Sequence, residues 1–249
     1  MAKIYLSVVI PAYNEERSIK AGGLQAVWDY LSGQKFSWEV VVVDDGSTDK
    51  TASLVKNFSK NHKGFRLLSE PHRGKGGTVI AGMLRAEGNI ILFTDMDQAT
   101  PISELGKILP KFEEGYEIVI GSRRGRAGAP FFRKLMAFGF SFLRFVILRL
   151  PYKDTQCGFK AFKKGAARII FKRLRVFSEK TVVKGAAVTA GFDLEILYTA
   201  RKLGLKVAEV PVAWHHKETE RINALKDSWE GFRDLMKVRI NALLGKYKV

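Results

Sequence analysis

The 249-residue chain is short of several things, and each shortage narrows what it can be. It has one cysteine, Cys157, so no disulfide can close within it and a reducing compartment is expected. Acidic residues are scarce: 25 Asp and Glu stand against 42 Lys and Arg, a formal charge of +17. A charge that large implies a polyanionic partner, whether nucleic acid, an anionic membrane surface or a phosphorylated substrate. No Gly-x4-Gly-Lys-[Ser/Thr] phosphate loop can be drawn through the sequence. No G-x-G-x-x-G follows the first strand, which argues against a dinucleotide-binding dehydrogenase. His215 and His216 lack metal-ligand spacing with any third His or Cys and read as surface residues. The stretch "MAKIYLSVVIPAYNE" enters a strand almost at once, with neither signal-peptide layout nor spanning helix, so a cytoplasmic protein is expected. Repeats, low-complexity tracts and Pro/Gly/Ser linkers are missing too, which predicts a single domain over 1–249 whose C-terminal part is an extension.

What the chain does have is alternation. Apolar runs at Ile4–Ile10, Glu39–Val43, Phe65–Ser69, Asn89–Thr94 and Glu117–Gly121 read as strands, and helical stretches begin at Glu15, Asp49, Gly74 and Ser103. This order predicts an α/β fold with a doubly wound, mostly parallel sheet. The run "VVVDDGSTDKT" carries consecutive valines, as a strand covered on both faces requires, and stops at Asp44 and Asp45. In such sheets ligands sit beyond the carboxyl ends of the strands. Either aspartate could instead cap the helix that begins near Asp49.

Three further stretches lie at predicted strand ends. "ILFTDMDQATP" places Asp95 and Asp97 two residues apart, so both carboxylates could face one hard cation such as Mg²⁺ or Mn²⁺. A solvated turn is the alternative. "EPHRGKGGTVIAG" is a glycine-rich lead into a helix whose N–H groups and Lys75 suit a phosphate. "GSRRGR" ends the fifth strand with three arginines, which either meet a phosphate or form a solvated basic loop. "FDLE" adds Asp193 and Glu195 near a helix start, where the helix dipole alone would favour acids.

Two segments, 130–150 and 221–248, read as amphipathic helices. In the first, Arg133, Lys134, Arg144 and Arg149 fall within roughly 160° of a helical wheel, opposite Phe132, Leu135, Met136, Leu143, Val146 and Leu150. Cations near its centre argue against a spanning helix and suit one lying in the headgroup plane, with packing on the sheet as the alternative. In the second, Ile222, Leu225, Trp229, Phe232, Met236, Ile240 and Leu243 recur at three- and four-residue steps among cations. It suits packing on the domain, membrane docking or pairing with a second copy, the last of which would make a homo-oligomer.

Taken in order, "VVIPAYNEE", "VVVDDGSTD", "GKGGTVIAGM", "TDMD", "GSR", "DTQCGFKAF", "GFDLE" and "VPVAWHH" resemble the inverting glycosyltransferases of the GT-A fold. Within these, the chain is similar to the dolichyl-phosphate glucosyltransferases and mannose synthases over nearly its whole length, with "DTQCGFKAF" the most specific piece. The resemblance implies that Pro11, Ala12, Tyr13 and Glu15 hold a nucleotide sugar together with Asp45, and that Asp44 supports the loop. It places Lys75 near the nucleotide, makes Asp95, Met96 and Asp97 the Asp-x-Asp segment, and gives Asp95 and Asp97 a Mg²⁺ or Mn²⁺ ion on the diphosphate. Arg123 and Arg133 would clamp the phosphate of a dolichyl or other polyprenyl phosphate, and Lys217 or Arg221 could close over the diphosphate. Asp193 and Glu195 would be acceptor-site or structural residues rather than a base. Ala99 and Ala137 stand where mannose synthases often have Gln and Ser, so the donor is expected to be UDP-glucose, with GDP-mannose as the alternative. The implied protein is peripheral at the cytoplasmic membrane face. A reading of another class is a basic nucleic-acid-binding module; for the transferase no nucleic acid is expected.

Overall fold

The computed structural model describes residues 3–123, 131–177, 190–215 and 224–247, and within the helices it leaves out the side chains of 131–138, 190 and 224–228. Its frame is a seven-stranded sheet. The strands are β1 (Leu6–Ala12), β2 (Trp38–Asp44), β3 (Phe65–Ser69), β4 (Ile90–Phe93), β5 (Ile118–Arg123), β6 (Lys160–Lys163) and β7 (Val207–Val212), in spatial order β3-β2-β1-β4-β6-β5-β7. Every pairing is parallel except those of β6, which runs antiparallel between β4 and β5. The five strands expected from the sequence are all present, with ends displaced by up to two residues. β6 and β7 had no counterpart among them.

Side-chain alternation explains why both faces are covered. Val40 and Val42 belong to one apolar layer, which holds α2 (Gly23–Ser32), α3 (Thr51–Asn61) and α5 (Leu105–Glu113). Val41 and Val43 belong to the other, with α4 (Gly74–Arg85), α7 (Lys164–Arg173), α8 (Ala190–Lys202) and α9 (Ala224–Leu243). Successive residues of a strand point to opposite faces, so a valine run with helices on either side has nowhere wet to go. The remaining helices are the short α1 (Glu16–Lys20) and α6 (Phe131–Leu148).

Helix α6 forms where expected, but its burial differs from the sequence reading. Arg144 is 5% exposed, whereas Phe142, Phe145 and Val146 are 59%, 55% and 56% exposed. The Arg144 guanidinium turns inward, donating from Nη1 to Thr155 Oγ1 at 3.0 Å and from Nη2 to Ser141 Oγ at 2.9 Å and to the Tyr152 carbonyl. A buried cation is tolerable when acceptors replace its hydration. The apolar side chains that this displaces face outward. The side chains of Arg133 and Lys134 lie outside the described residues.

The far end of the chain is tied down by Glu195, a fully buried carboxylate on α8. It accepts the N–H groups of Arg175 at 2.6 Å, Val176 at 2.9 Å and Phe177 at 3.1 Å, and the Tyr247 hydroxyl at 2.5 Å. Burial, reinforced by Glu195, pushes the Tyr247 hydroxyl up, so it stays a donor at neutral pH. Glu195 is therefore a structural tie. Glu195→Ala, which strands these donors, is expected to lower stability by roughly 3–4 kcal/mol in urea denaturation; a loss below about 1 kcal/mol would contradict the role.

Candidate active site

Because β1, β2, β4 and β5 are parallel, their carboxyl ends open on one edge of the sheet, at the point where the order turns from β1 outward to β2 and to β4. Antiparallel β6 delivers its preceding loop to the same edge, since Lys160 pairs with Phe93. The loops after β1 and β2 are knitted together there. Asp45 N–H donates to the Ala12 carbonyl at 2.8 Å, Thr48 N–H to Asn14 Oδ1 at 2.9 Å, and Glu15 N–H to Thr51 Oγ1 at 2.7 Å. Tyr13 stacks on His72 with ring centroids 4.2 Å apart. The structure thus brings Tyr13, Glu15, Asp45 and Lys75 to one rim, where β1 ends with Pro11 and Ala12; Ala12 is 2% exposed within the apolar layer and offers backbone there.

Asp45 fixes the turn that leads into α4. Its Oδ1 accepts Arg73 N–H at 2.7 Å, its Oδ2 accepts Gly74 N–H at 2.9 Å, and His72 Nδ1 lies 2.9 Å from Oδ2. The N-terminus of α4, expected from its glycines to hold an external anion, is already occupied by the protein's own carboxylate. Gly74, at φ 74°, supplies the left-handed backbone that turns these two N–H groups toward it. Asp44 supports the loop as expected, through Ser47 N–H at 3.4 Å from each of its oxygens.

Beyond β4, Asp95 and Asp97 reach the rim while Met96 between them does not. Met96 is 2% exposed and belongs to the apolar layer of α2 and α5, so at the rim it offers backbone only. Asp95 Oδ1 pairs with Lys75 Nζ at 2.5 Å, and Asp97 Oδ1 accepts Ala99 N–H at 2.9 Å. Burial opposes the Lys75 charge, but Asp95, then Asp193 and Asp97, outweigh it and raise its pKa above the ordinary lysine value. Lys75 therefore remains an ammonium among three carboxylates.

The fifth strand brings Arg123 to the same edge. It forks onto Asp154, Nε to Oδ2 at 2.6 Å and Nη2 to Oδ1 at 2.9 Å, and lies 5.6 Å from the Trp214 ring centroid. Burial opposes its charge and Asp154 more than restores it. Lys160, which carries no local sign of a role in the sequence, is 0% exposed. Its ammonium meets Asp193 Oδ1 at 2.7 Å, the Cys157 carbonyl, and the Phe93 ring at 5.4 Å. The only signal for Lys160 and Asp154 was their place in "DTQCGFKAF". Arg133 lies in the first turn of α6 with its side chain outside the described residues, as do Lys217 and Arg221 entirely.

No three His, Cys, Asp or Glu side chains among the described residues cluster closely enough to hold a metal unaided. Asp95 and Asp97 supply hard oxygen donors, and Mg²⁺-like ions commonly take one or two carboxylates with substrate phosphates completing the shell. The donor set fits such an ion.

Residues 7–171 match the profile of Glycosyl transferase family 2. The chain belongs to that family. It is 34% identical over 264 residues to the dolichyl-phosphate beta-glucosyltransferase of Dictyostelium discoideum, spanning 99% of this chain and 77% of that protein. Against the enzyme of the same name from Saccharomyces cerevisiae it is 32% identical over 271 residues, again 99% of this chain and 77% of the other. Among solved structures, the fold is similar to glucosyl-3-phosphoglycerate synthase from Mycobacterium tuberculosis, crystallised with Mn²⁺, UDP and glucosyl-3-phosphoglycerate. The TM-score is 0.67 at 20% identity, over 95% of this chain and 80% of that one. The fold is the GT-A glycosyltransferase fold of the family.

Asp45→Ala removes the anchor of the 72–74 turn. It is expected to cost roughly 2–3 kcal/mol of stability by urea denaturation. A cost below about 0.5 kcal/mol would show that the turn holds without it.

Proposed function

We propose that this protein is a hexosyltransferase that moves glucose from UDP-glucose to dolichyl phosphate, inverting the anomeric carbon, at the cytoplasmic face of a membrane. The observation that carries the reading is identity across nearly the whole chain to enzymes named for that one transfer. The geometry supports the chemistry. Cations from three elements, Lys75, Arg123 and Lys160, converge on the carboxylates at the sheet edge, which favours phosphate chemistry there over nucleic-acid binding.

In this mechanism an oxygen of the acceptor phosphate attacks the anomeric carbon from the face opposite the nucleoside diphosphate. The new carbon–oxygen bond forms as the old one breaks, and its electron pair leaves with the diphosphate. A phosphate monoester is largely ionised near neutral pH, so no side chain has to remove a proton. Asp95 and Asp97 would hold a divalent ion, which when bound neutralises charge on the leaving diphosphate. Lys75, charged and beside Asp95, is placed to share that neutralisation. Arg123, its fork set by Asp154, is our partner for the acceptor phosphate, together with Arg133. The rim of Pro11, Ala12, Tyr13 and Glu15 is assigned to the nucleoside, with Asp45 fixing the turn beside it.

A lipid-borne acceptor calls for attachment to a bilayer, yet no helix among the described residues is long and apolar enough to cross one. Phe142, Leu143, Phe145 and Val146 on α6 and Trp229, Ile240 and Leu243 on α9 face outward, and the two helices pack on each other. With Arg233 and Lys237 exposed among the α9 apolar positions, these faces suit the interfacial zone of an anionic membrane.

Incubation with Mn²⁺, dolichyl phosphate and labelled UDP-glucose is expected to carry label into the lipid phase. Asp97→Ala should lower the rate by roughly a hundredfold or more with unchanged circular dichroism; turnover within about threefold of wild type would refute the metal role, and label arriving only from GDP-mannose would refute the donor. Replacing Phe142 and Phe145 together by Asp is expected to weaken sedimentation with phosphatidylserine vesicles by roughly tenfold or more, and unchanged sedimentation would refute the α6 attachment.

A further inference from the structure

The Asp154–Lys160 segment lies outside any helix or strand until its last residue begins β6, yet it meets three of the charged groups at the sheet edge, Arg123, Asp193 and Asp95. Asp154 orients Arg123 and Lys160 holds Asp193. The segment itself is held from outside. Glu209 accepts the N–H of Asp154 at 2.7 Å and of Lys153 at 2.9 Å, and Arg144 of α6 grips Thr155 and the Tyr152 carbonyl. Gly158 lies between these anchors and Lys160, which Asp193 and the pairing of β6 with β4 hold in place.

Gly158 does not have a left-handed backbone, so local conformation is not what asks for glycine there. Space is. A Cβ built on Gly158 would overlap Asp95 Oδ2 outright and lie 2.8 Å from its Cγ and 3.1 Å from its Oδ1. Asp95 is held on its other side by Lys75. Its carboxylate thus rests in a slot with an ammonium on one wall and a bare α-carbon on the other. We infer that Gly158 is a positioning residue for Asp95: its missing side chain sets where the carboxylate sits and so where a divalent ion can be held. This rests on the proposed metal role of Asp95. Any side chain at 158 must move the Asp95 carboxylate from its present place or shift a segment held at both ends, because an overlap this deep leaves no third way to relieve it.

The test is Gly158→Ala in two backgrounds, wild type and Asp95→Ala, read by thermal unfolding without ligands and by Mn²⁺ binding with UDP present, followed by electron paramagnetic resonance. In the wild type the alanine should lower Tm by roughly 4–8 °C and weaken Mn²⁺ binding at least about tenfold. With Asp95→Ala the obstacle is gone, and Gly158→Ala should shift Tm by less than about 2 °C and leave the residual Mn²⁺ binding unchanged. An equal Tm loss in both backgrounds, or wild-type Mn²⁺ affinity in the single Gly158→Ala variant, overturns the inference. The thermal arm needs neither metal nor substrate, so an additive cycle defeats this inference and leaves the proposed transfer standing. A failed transfer assay with a non-additive cycle defeats the transfer alone.

Discussion

The ion pair between Lys75 and Asp95 is the interaction on which the rest of the site depends. A carboxylate projecting from the end of a core strand needs either water or a cation, and three acids near one another repel unless cations stand among them. The fold supplies these from different elements: Lys75 from α4, Lys160 from β6, and Arg123 from β5. Each has its own carboxylate partner, Asp95, Asp193 and Asp154. The sheet edge is thus an array of paired opposite charges. Preorganised charge of this kind avoids reorganisation when a diphosphate departs.

The order of elements makes this array available. Asp45 fastens the start of α4, which puts Lys75 over β4. Antiparallel β6 returns the Asp154–Lys160 loop to the edge that a parallel strand would have left at the opposite end. Arg144 then couples that loop to α6, whose outward face is apolar. The surface proposed to meet the lipid and the loop that orients Arg123 are therefore joined by one guanidinium. Burying a cation to make that joint exposes phenylalanines that a soluble surface would ordinarily avoid, and an interfacial location turns that cost into attachment.

Much of the fold was legible in the sequence because its signals are local. Valine runs, their abrupt ends at acids and the glycine-rich lead into α4 all speak within a dozen residues. β6 was not legible: four residues headed by a lysine carry no strand pattern, and the carboxylate that Lys160 meets in the interior, Asp193, stands 33 positions later. β7 alternates inward Ala208, Val210 and Val212 with exposed Pro211, as an edge strand can, and was too mixed to stand out. Asp45 was correctly sent to the sheet edge, but its partners lie 28 and 29 positions away and give no sign of themselves in the run that holds it. For α6 the helical wheel grouped the cations on one side, but Arg144 is buried and Arg149 exposed, and nothing local revealed that a loop carbonyl and a threonine would draw Arg144 inward. Met96 is the converse case: a motif placed it at the site, and the alternation of side chains sent it to the core.

A crystal structure with UDP and Mn²⁺ bound, with manganese located by its anomalous scattering, tests the central claim most directly. The account predicts one manganese peak in coordinating contact with Asp97 and with the Asp95 carboxylate in its slot against Gly158. A peak remote from both aspartates, with UDP bound elsewhere than the rim of β1 and β4, would contradict it.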